Sequence, residues 1–368
     1  MADLETNLCG VRLKSPFVLA SGPLSHDGRG LIVASEAGAG AVVTKTISRV
    51  KADNPLPHMA KAGRDTLINC EEWSDVEAGD WIGREIAVAR EGGAVVIASV
   101  GLSPDDVAEL VAPVAKAGPH LVEVVSYSEE SIVAMVREAR KRVGVPVLAK
   151  VSPNWPTVVK TAVDCVKAGA DGITATDSFG PALRIDVATA KPLMGGPFGY
   201  GWLSGAALKP IVLRIVSEIA RATHDVPIIG TGGVARGEDA LEMLMAGASA
   251  VGVCTTPILQ GVKIFRRLNR DLAGLLERYG YAHPAAATGA ALPNLVDVKS
   301  KDELCFEYAA DECNECGLCV NLCPYGARKM AGKAMAVDSE RCRYCGLCAS
   351  VCPTGALGIS GGLRNHRQ

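Results

Sequence analysis

Met245-Ala-Gly-Ala-Ser249, followed at once by Ala250-Val-Gly-Val-Cys254, is the stretch on which the fold turns. Two earlier stretches have the same form, Glu36-Ala-Gly-Ala-Gly40 and Lys167-Ala-Gly-Ala-Asp171, each between a helix-period segment and a short apolar run. Glycine just past a helix end supplies the left-handed residue that closes the helix, and the apolar run then opens a strand. Working outward from these three αβ loops, β-branched runs predict strands at 17–20, 41–45, 95–100, 121–125, 147–151, 172–176, 227–230 and 250–254. Helix-period segments fill 104–117, 130–143, 157–168, 209–223 and 237–246. Eight strands, each followed by a helix or a long loop, predict an α/β fold, a (β/α)8 TIM barrel. An open doubly wound sheet shares the same local pattern and is the competing arrangement.

The end of the chain has a different character. Cys313, Cys316, Cys319 and Cys323 precede Pro324, and Cys342, Cys345, Cys348 and Cys352 precede Pro353. Both runs read C-x2-C-x2-C-x3-C-P, the spacing that holds [4Fe-4S] clusters in two-cluster ferredoxins. The fourth Cys of each run then ligates the other cluster, so the expected sets are Cys313, Cys316, Cys319, Cys352 and Cys342, Cys345, Cys348, Cys323. Structural zinc rarely takes a third Cys from one run. The expected layout is a barrel over 1–281, a linker over 282–302 and a small two-[4Fe-4S] ferredoxin-like domain over 303–368. So short a domain has little apolar core, and its clusters should hold it together.

Composition narrows the function. The 368 residues carry a formal net charge of −2, which gives no electrostatic case for nucleic acid or an anionic membrane surface. Thirteen cysteines, eight of them in the two runs, suit a reducing compartment. With no apolar run near eighteen residues and no basic-then-apolar start, the expectation is a cytoplasmic protein without a membrane span.

Barrel chemistry is expected in the loops after the strands. Long loops run over 46–69 and 177–205, and loops of that length are usually functional lids or disordered. Thr231-Gly232-Gly233 after the seventh strand and Cys254-Thr255-Thr256 after the eighth have the form of two halves of a phosphate site.

Lys45-Thr46, Asn69, Ala149-Lys150-Val151-Ser152-Pro153-Asn154, Thr174-Ala175-Thr176-Asp177-Ser178, Leu203-Ser204-Gly205 and Thr231-Gly232-Gly233 occur in the order found in a known family. Over nearly the whole barrel the chain resembles the FMN-dependent dihydroorotate and dihydropyrimidine dehydrogenases. With the cysteine runs added, the likeness is to the bacterial dihydropyrimidine dehydrogenase subunit that carries FMN and clusters. The resemblance implies that Lys150, Lys45, Thr46, Thr176, Ser204, Gly205, Gly232, Gly233, Cys254, Thr255 and Thr256 line FMN, with Ala20, Ser21 and Gly22 beneath the ring. It also implies Asn69, Asp177 and Ser178 for substrate, and a ferredoxin or an NAD(P)H-oxidising flavoprotein subunit as electron partner within a homo- or hetero-oligomer. No dinucleotide fingerprint follows a strand, so no separate NAD(P)H site is expected in this chain.

Departures from the family bear on the substrate. After the fourth strand the family has an Asn-Leu-Ser-Cys-Pro-like loop whose Cys or Ser moves a proton. This chain has Glu123-Val124-Val125-Ser126-Tyr127-Ser128-Glu129, which leaves Ser126, Tyr127 or Ser128 in that place. Where the family has an Asn on the sixth strand, Asp177 stands here. A carboxylate only accepts hydrogen bonds, whereas an amide both donates and accepts, so pyrimidine recognition is altered or lost. His58, Glu71, Glu72 and Trp202 are further candidates near the mouth. The expected activity is electron exchange between the clusters and FMN coupled to reduction or oxidation of a C=C/CH-CH bond in a small cyclic or conjugated substrate. A uracil/thymine dehydrogenase subunit and a non-catalytic electron-transfer subunit are the alternatives.

Overall fold

In a computed structural model, residues 2–296 and 304–360 are described. Residues 297–303 and 361–368, parts of the expected linker and C-terminal domain, lie outside the described residues. The chain divides into two compact units, Met1–Leu292 and Pro293–Gln368.

The first unit is a closed barrel of eight parallel strands. They are β1 (Phe17–Leu19), β2 (Ala41–Val43), β3 (Val96–Leu102), β4 (Leu121–Ser126), β5 (Val147–Val151), β6 (Gly172–Ala175), β7 (Ile228–Thr231) and β8 (Ala250–Val253). Each pairs with the next, and β8 pairs with β1, which excludes the open sheet. The three repeated phrases act as αβ loops. Gly38, Gly169 and Gly247 have φ of 111°, 109° and 113°. In each loop the following alanine amide reaches back five residues, Ala39 to Ala34, Ala170 to Cys165 and Ala248 to Met243, at 3.0–3.1 Å. A side chain at that φ would be strained, so the glycine sets where the helix stops and the strand starts.

Two features were not read from the sequence. Thr6–Leu8 and Val11–Leu13 form an antiparallel hairpin. Its Leu8 and Leu13 are fully buried and pack with Val18, Val43, Ile97, Leu121, Leu148 and Ile229, all strand residues. The hairpin thus plugs one end of the barrel. The two long loops expected as lids are built instead into one four-stranded sheet, in the order Phe179–Leu183, Tyr200–Gly205, Thr66–Asn69, Met59–Gly63. Trp202 pairs with Asn69 and Ser204 with Leu67, which joins segments more than 130 residues apart in the chain.

The second unit shows a twofold repeat. Glu315 and Tyr344 (φ 58° and 54°) precede Cys316 and Cys345, and Gly317 and Gly346 (φ 70° and 80°) follow them. Short helices Leu318–Asn321 and Leu347–Ser350 then carry the third cysteines. Among the described residues no helix is long and apolar enough to cross a membrane.

The plug gives a stability prediction. Leu13→Ala removes a fully buried side chain from the barrel end and should lower the unfolding free energy by about 2–5 kcal/mol, read by denaturant unfolding. A loss below ~1 kcal/mol would show that the hairpin contributes little to the core.

Candidate active site

At the C-terminal ends of the strands lies a cavity of about 740 Å³, to which every barrel strand or the loop after it contributes. This volume falls in the range of sites that enclose a cofactor-sized ligand. The barrel end opposite the hairpin plug is therefore where water and ligand reach the strand termini.

Two buried lysines dominate the cavity. Lys150 on β5 has a side chain only 11% exposed, and its Nζ lies 3.3 Å from Asp177 Oδ2 just past β6. Burial works against the ammonium charge, but Asp177 and Glu123 outweigh it and hold the Lys150 pKa above its ordinary value. Lys45, two residues past β2, has its Nζ 3.0 Å from Glu71 Oε2. Glu123, on β4, is 1% exposed. Thr174 donates to its Oε2 at 2.7 Å, while Oε1 has no hydrogen-bond partner among the described residues. Burial raises the Glu123 pKa, against the opposing pull of Lys150 and Thr174.

The strand-four loop separates its three candidates. Ser126 is buried, and its hydroxyl pairs with Ser131 at 2.7 Å and contacts the Ser128 carbonyl at 3.0 Å. Ser128 is not part of the cavity wall; its hydroxyl donates to Glu130 at the start of helix Glu129–Arg142. Both serines are thus engaged in shaping the loop. Ser126 and Tyr127 both line the cavity, and of the two only Tyr127 has a hydroxyl without a hydrogen-bond partner among the described residues. The residue is 65% exposed, yet it stands in a concave mouth. Loss of solvent there, and then the Asp177 carboxylate, push the phenol up to about 12.

Gly232 and Gly233, after β7, have φ of 126° and 89°, and a Cβ on Gly233 would stand 2.5 Å from Lys209 Cα. Among the described residues the amides of Gly232, Gly233 and Val234 have no acceptor, whereas the next two, Ala235 and Arg236, donate to Asp239. Adjacent free amides with no side chain in the way make a cradle for an anion. Lys209 does not serve it, being paired with Asp239 at 2.7 Å and Glu242 at 2.6 Å. Thr255 lines the cavity and donates to Ser204 at 2.8 Å. Thr256 was expected beside it but is buried behind the wall, where its hydroxyl donates to the Val234 carbonyl at 2.6 Å and ties the two loops together.

Ala20, Ser21, Gly22, Thr46, Thr176, Gly205 and Cys254 line the same cavity, as do Asn69 and Ser178. Asn69 Nδ2 donates to the Trp202 carbonyl at 3.2 Å, and the Ser178 carbonyl accepts from Asn154 at 3.1 Å. His58 lies outside the wall, its Nδ1 3.2 Å from the Pro55 carbonyl. Sequence reasoning passed over Trp73, Trp155 and the inward-facing Glu123. Only Glu123 carried a signal, as a charge inside an otherwise apolar strand.

In the second unit, Cys323, Cys342, Cys345 and Cys348 line one small cavity, which is one of the two crossed sets expected from the spacing. Amides point at the sulfurs: Ala327 N–H lies 3.4 Å from Cys323 Sγ, and Glu315 N–H 3.4 Å from Cys313 Sγ. Thiolates gathered with N–H donors and a repeated Gly turn fit iron–sulfur ligation. Cys319 Sγ lies 3.7 Å from Met330 Sδ, and Cys352 Sγ 3.7 Å from Thr354 Oγ1.

Comparison with known proteins agrees with this geometry. Residues 107–276 match the dihydroorotate dehydrogenase family, and residues 312–356 match the 4Fe-4S dicluster domain. A dihydroorotate dehydrogenase B (NAD(+)) catalytic subunit from Methanothermobacter thermautotrophicus is 31% identical over 306 residues, 78% of this chain and 98% of the relative. The Thermococcus kodakarensis counterpart is 33% identical over 79% of this chain and 99% of its own length, and that of Thermoplasma acidophilum 34% over 73% and 92%. The chain belongs to the dihydroorotate dehydrogenase family, flavin oxidoreductases acting on CH-CH bonds, and carries a 4Fe-4S domain.

Proposed function

We propose that this chain is an FMN- and iron–sulfur-dependent oxidoreductase that reduces or oxidises a C=C/CH-CH bond of a small cyclic or conjugated substrate. The barrel through residue 281 carries the flavin and the segment from 303 carries two [4Fe-4S] clusters. One observation carries this reading: an anion cradle at Gly232 and Gly233 and a buried ammonium at Lys150 share one cavity. Phosphate at one end and a positive charge beside the ring are what FMN requires of a barrel.

Bound FMN supplies the exchange between single electrons and a hydride. The chain's own groups do the rest. The Gly232, Gly233 and Val234 amides hold the phosphate, with Gly205, Ser204 and Thr255 beside it. Lys45 and Lys150 fix positive charge at the ends of β2 and β5, and Ala20, Ser21 and Gly22 support the ring. Thr46, Thr176 and Cys254 close the wall around it. Tyr127 holds its proton through the neutral range, as a phenol does, and is the group placed to give that proton to a substrate carbon. Asn69, Asp177 and Ser178 orient the substrate.

The relatives are named as catalytic subunits, which supports a partner subunit, either a ferredoxin or an NAD(P)H-oxidising flavoprotein, as the electron source. The uracil/thymine alternative is weakened because a carboxylate, which only accepts hydrogen bonds, stands at 177.

Two variants test the reading. Lys150→Met should lower flavin content or slow flavin reduction; normal content and normal reduction would remove its assigned role. Tyr127→Phe should keep its flavin while substrate-driven reoxidation falls roughly 10²–10⁴-fold. An unchanged reoxidation rate in that variant would remove Tyr127 as the proton donor, whereas an unmodified protein reoxidised by no substrate would favour a non-catalytic electron-transfer subunit.

A further inference from the structure

We infer that the substrate of this cavity is a flat organic cation and not a carboxylic acid. The inference rests on the flavin-enzyme reading and names the substrate class it leaves open. The charged wall residues are the first ground. Lys45 and Lys150 are each paired, with Glu71 and Asp177, and among the described residues no arginine lines the cavity. Glu72 is a third carboxylate on the wall, and its side chain has no hydrogen bond or ion pair among the described residues. An incoming carboxylate would find no unpaired cation and one unpaired like charge. A cation would find the reverse.

Aromatic surface is the second ground. Three of the four tryptophans, Trp73, Trp155 and Trp202, line the cavity together with Tyr127. Trp73 is held by its Nε1, which donates to the Val50 carbonyl at 2.6 Å, and Trp155 is nearly buried. Trp202 and Tyr127 keep exposed surface on the wall of the same cavity that Glu72 and Asp177 line. Aromatic faces beside an unpaired carboxylate are the environment that recognises organic cations.

Three flat probes of different charge test this on anaerobic holoprotein: orotate, uracil and the N-methylnicotinamide cation. Tryptophan fluorescence and the flavin band report binding, and flavin content is measured in the same sample. The cation should bind at least about tenfold tighter than orotate, and Glu72→Gln should weaken the cation severalfold without weakening orotate. Flavin-loaded protein that prefers orotate, or that ignores the cation, overturns the charge assignment alone. Protein that cannot be loaded with flavin overturns the reading beneath it.

A separate observation in the second unit carries a second inference: the structure assigns Arg328 as the counter-ion of the cluster held by Cys323, Cys342, Cys345 and Cys348. Arg328 is 3% exposed and lines the cavity with those four cysteines. Its guanidinium lies 4.5 Å from the centroid of the Phe306 ring, and Nη1 is 3.0 Å from Met335 Sδ. Among the described residues its Nη2 has no hydrogen-bond partner and no carboxylate lies in ion-pair range. A buried guanidinium without an anion is strongly unfavourable. Four thiolates around an iron–sulfur core supply the missing negative charge. Reduction adds one more electron beside a fixed positive charge, so Arg328 raises the cluster's reduction potential.

A potentiometric titration followed by electron paramagnetic resonance reads this directly. Arg328→Met and Arg328→Gln should each shift at least one cluster to lower potential, while Arg328→Lys, which keeps the charge, stays near the unmodified protein. Unchanged potentials in the Met or Gln variant, or a Lys variant shifted as far as they are, would overturn the assignment.

Discussion

A charge inside a closed barrel must find compensation within a few ångströms, and the active-site end is built around that constraint. Lys150 brings an ammonium to the end of β5, where solvent is scarce, and Asp177 from the next strand end answers it at 3.3 Å. Removing one partner of such a pair costs several kcal/mol, because the other is left buried and uncompensated. Glu123, one strand over, shares the same field and is held toward its neutral form by burial. The chemistry of the mouth follows from these three side chains on neighbouring strands.

The two ends of the barrel divide the labour. The N-terminal hairpin makes one end dry and well packed, through Leu8 and Leu13. At the other end the strands stop with backbone groups that need partners, and the glycines of the seventh loop leave theirs free for an anion. The sheet formed by the two long loops walls this end, so that Asn69, Trp202 and Ser204 reach the cavity on a paired backbone and not on loose chain.

The barrel was legible because its signals are local. Each strand is a β-branched run, and each repeated Ala-Gly-Ala phrase carries its own helix stop. The cysteine runs were legible for the same reason, since ligand spacing is a property of a dozen residues. What the sequence hid depends on long-range pairing. Strands of three residues, such as Thr6–Leu8, are too short to show alternation. The pairing of Trp202 with Asn69 has no signature in either segment alone. The candidate site was legible where family motifs fix a residue to a strand end, as for Lys150 and Gly232. It was illegible where rotamers decide. Ser126, Tyr127 and Ser128 are equal candidates on paper, and only hydrogen bonding shows that the serines are engaged and the phenol is not. Thr256 likewise faces away from the cavity while its neighbour Thr255 faces in, a difference set by where the backbone turns after β8.

On the proposed reading one chain holds a flavin in its barrel and two four-iron clusters in its terminal segment. Anaerobic purification followed by cofactor quantification tests it most directly. The expected content is about one FMN, ~8 iron and ~8 sulfide per chain. A flavin-free protein would contradict the cavity assignment, and about 4 iron per chain would contradict the crossed-ligand arrangement.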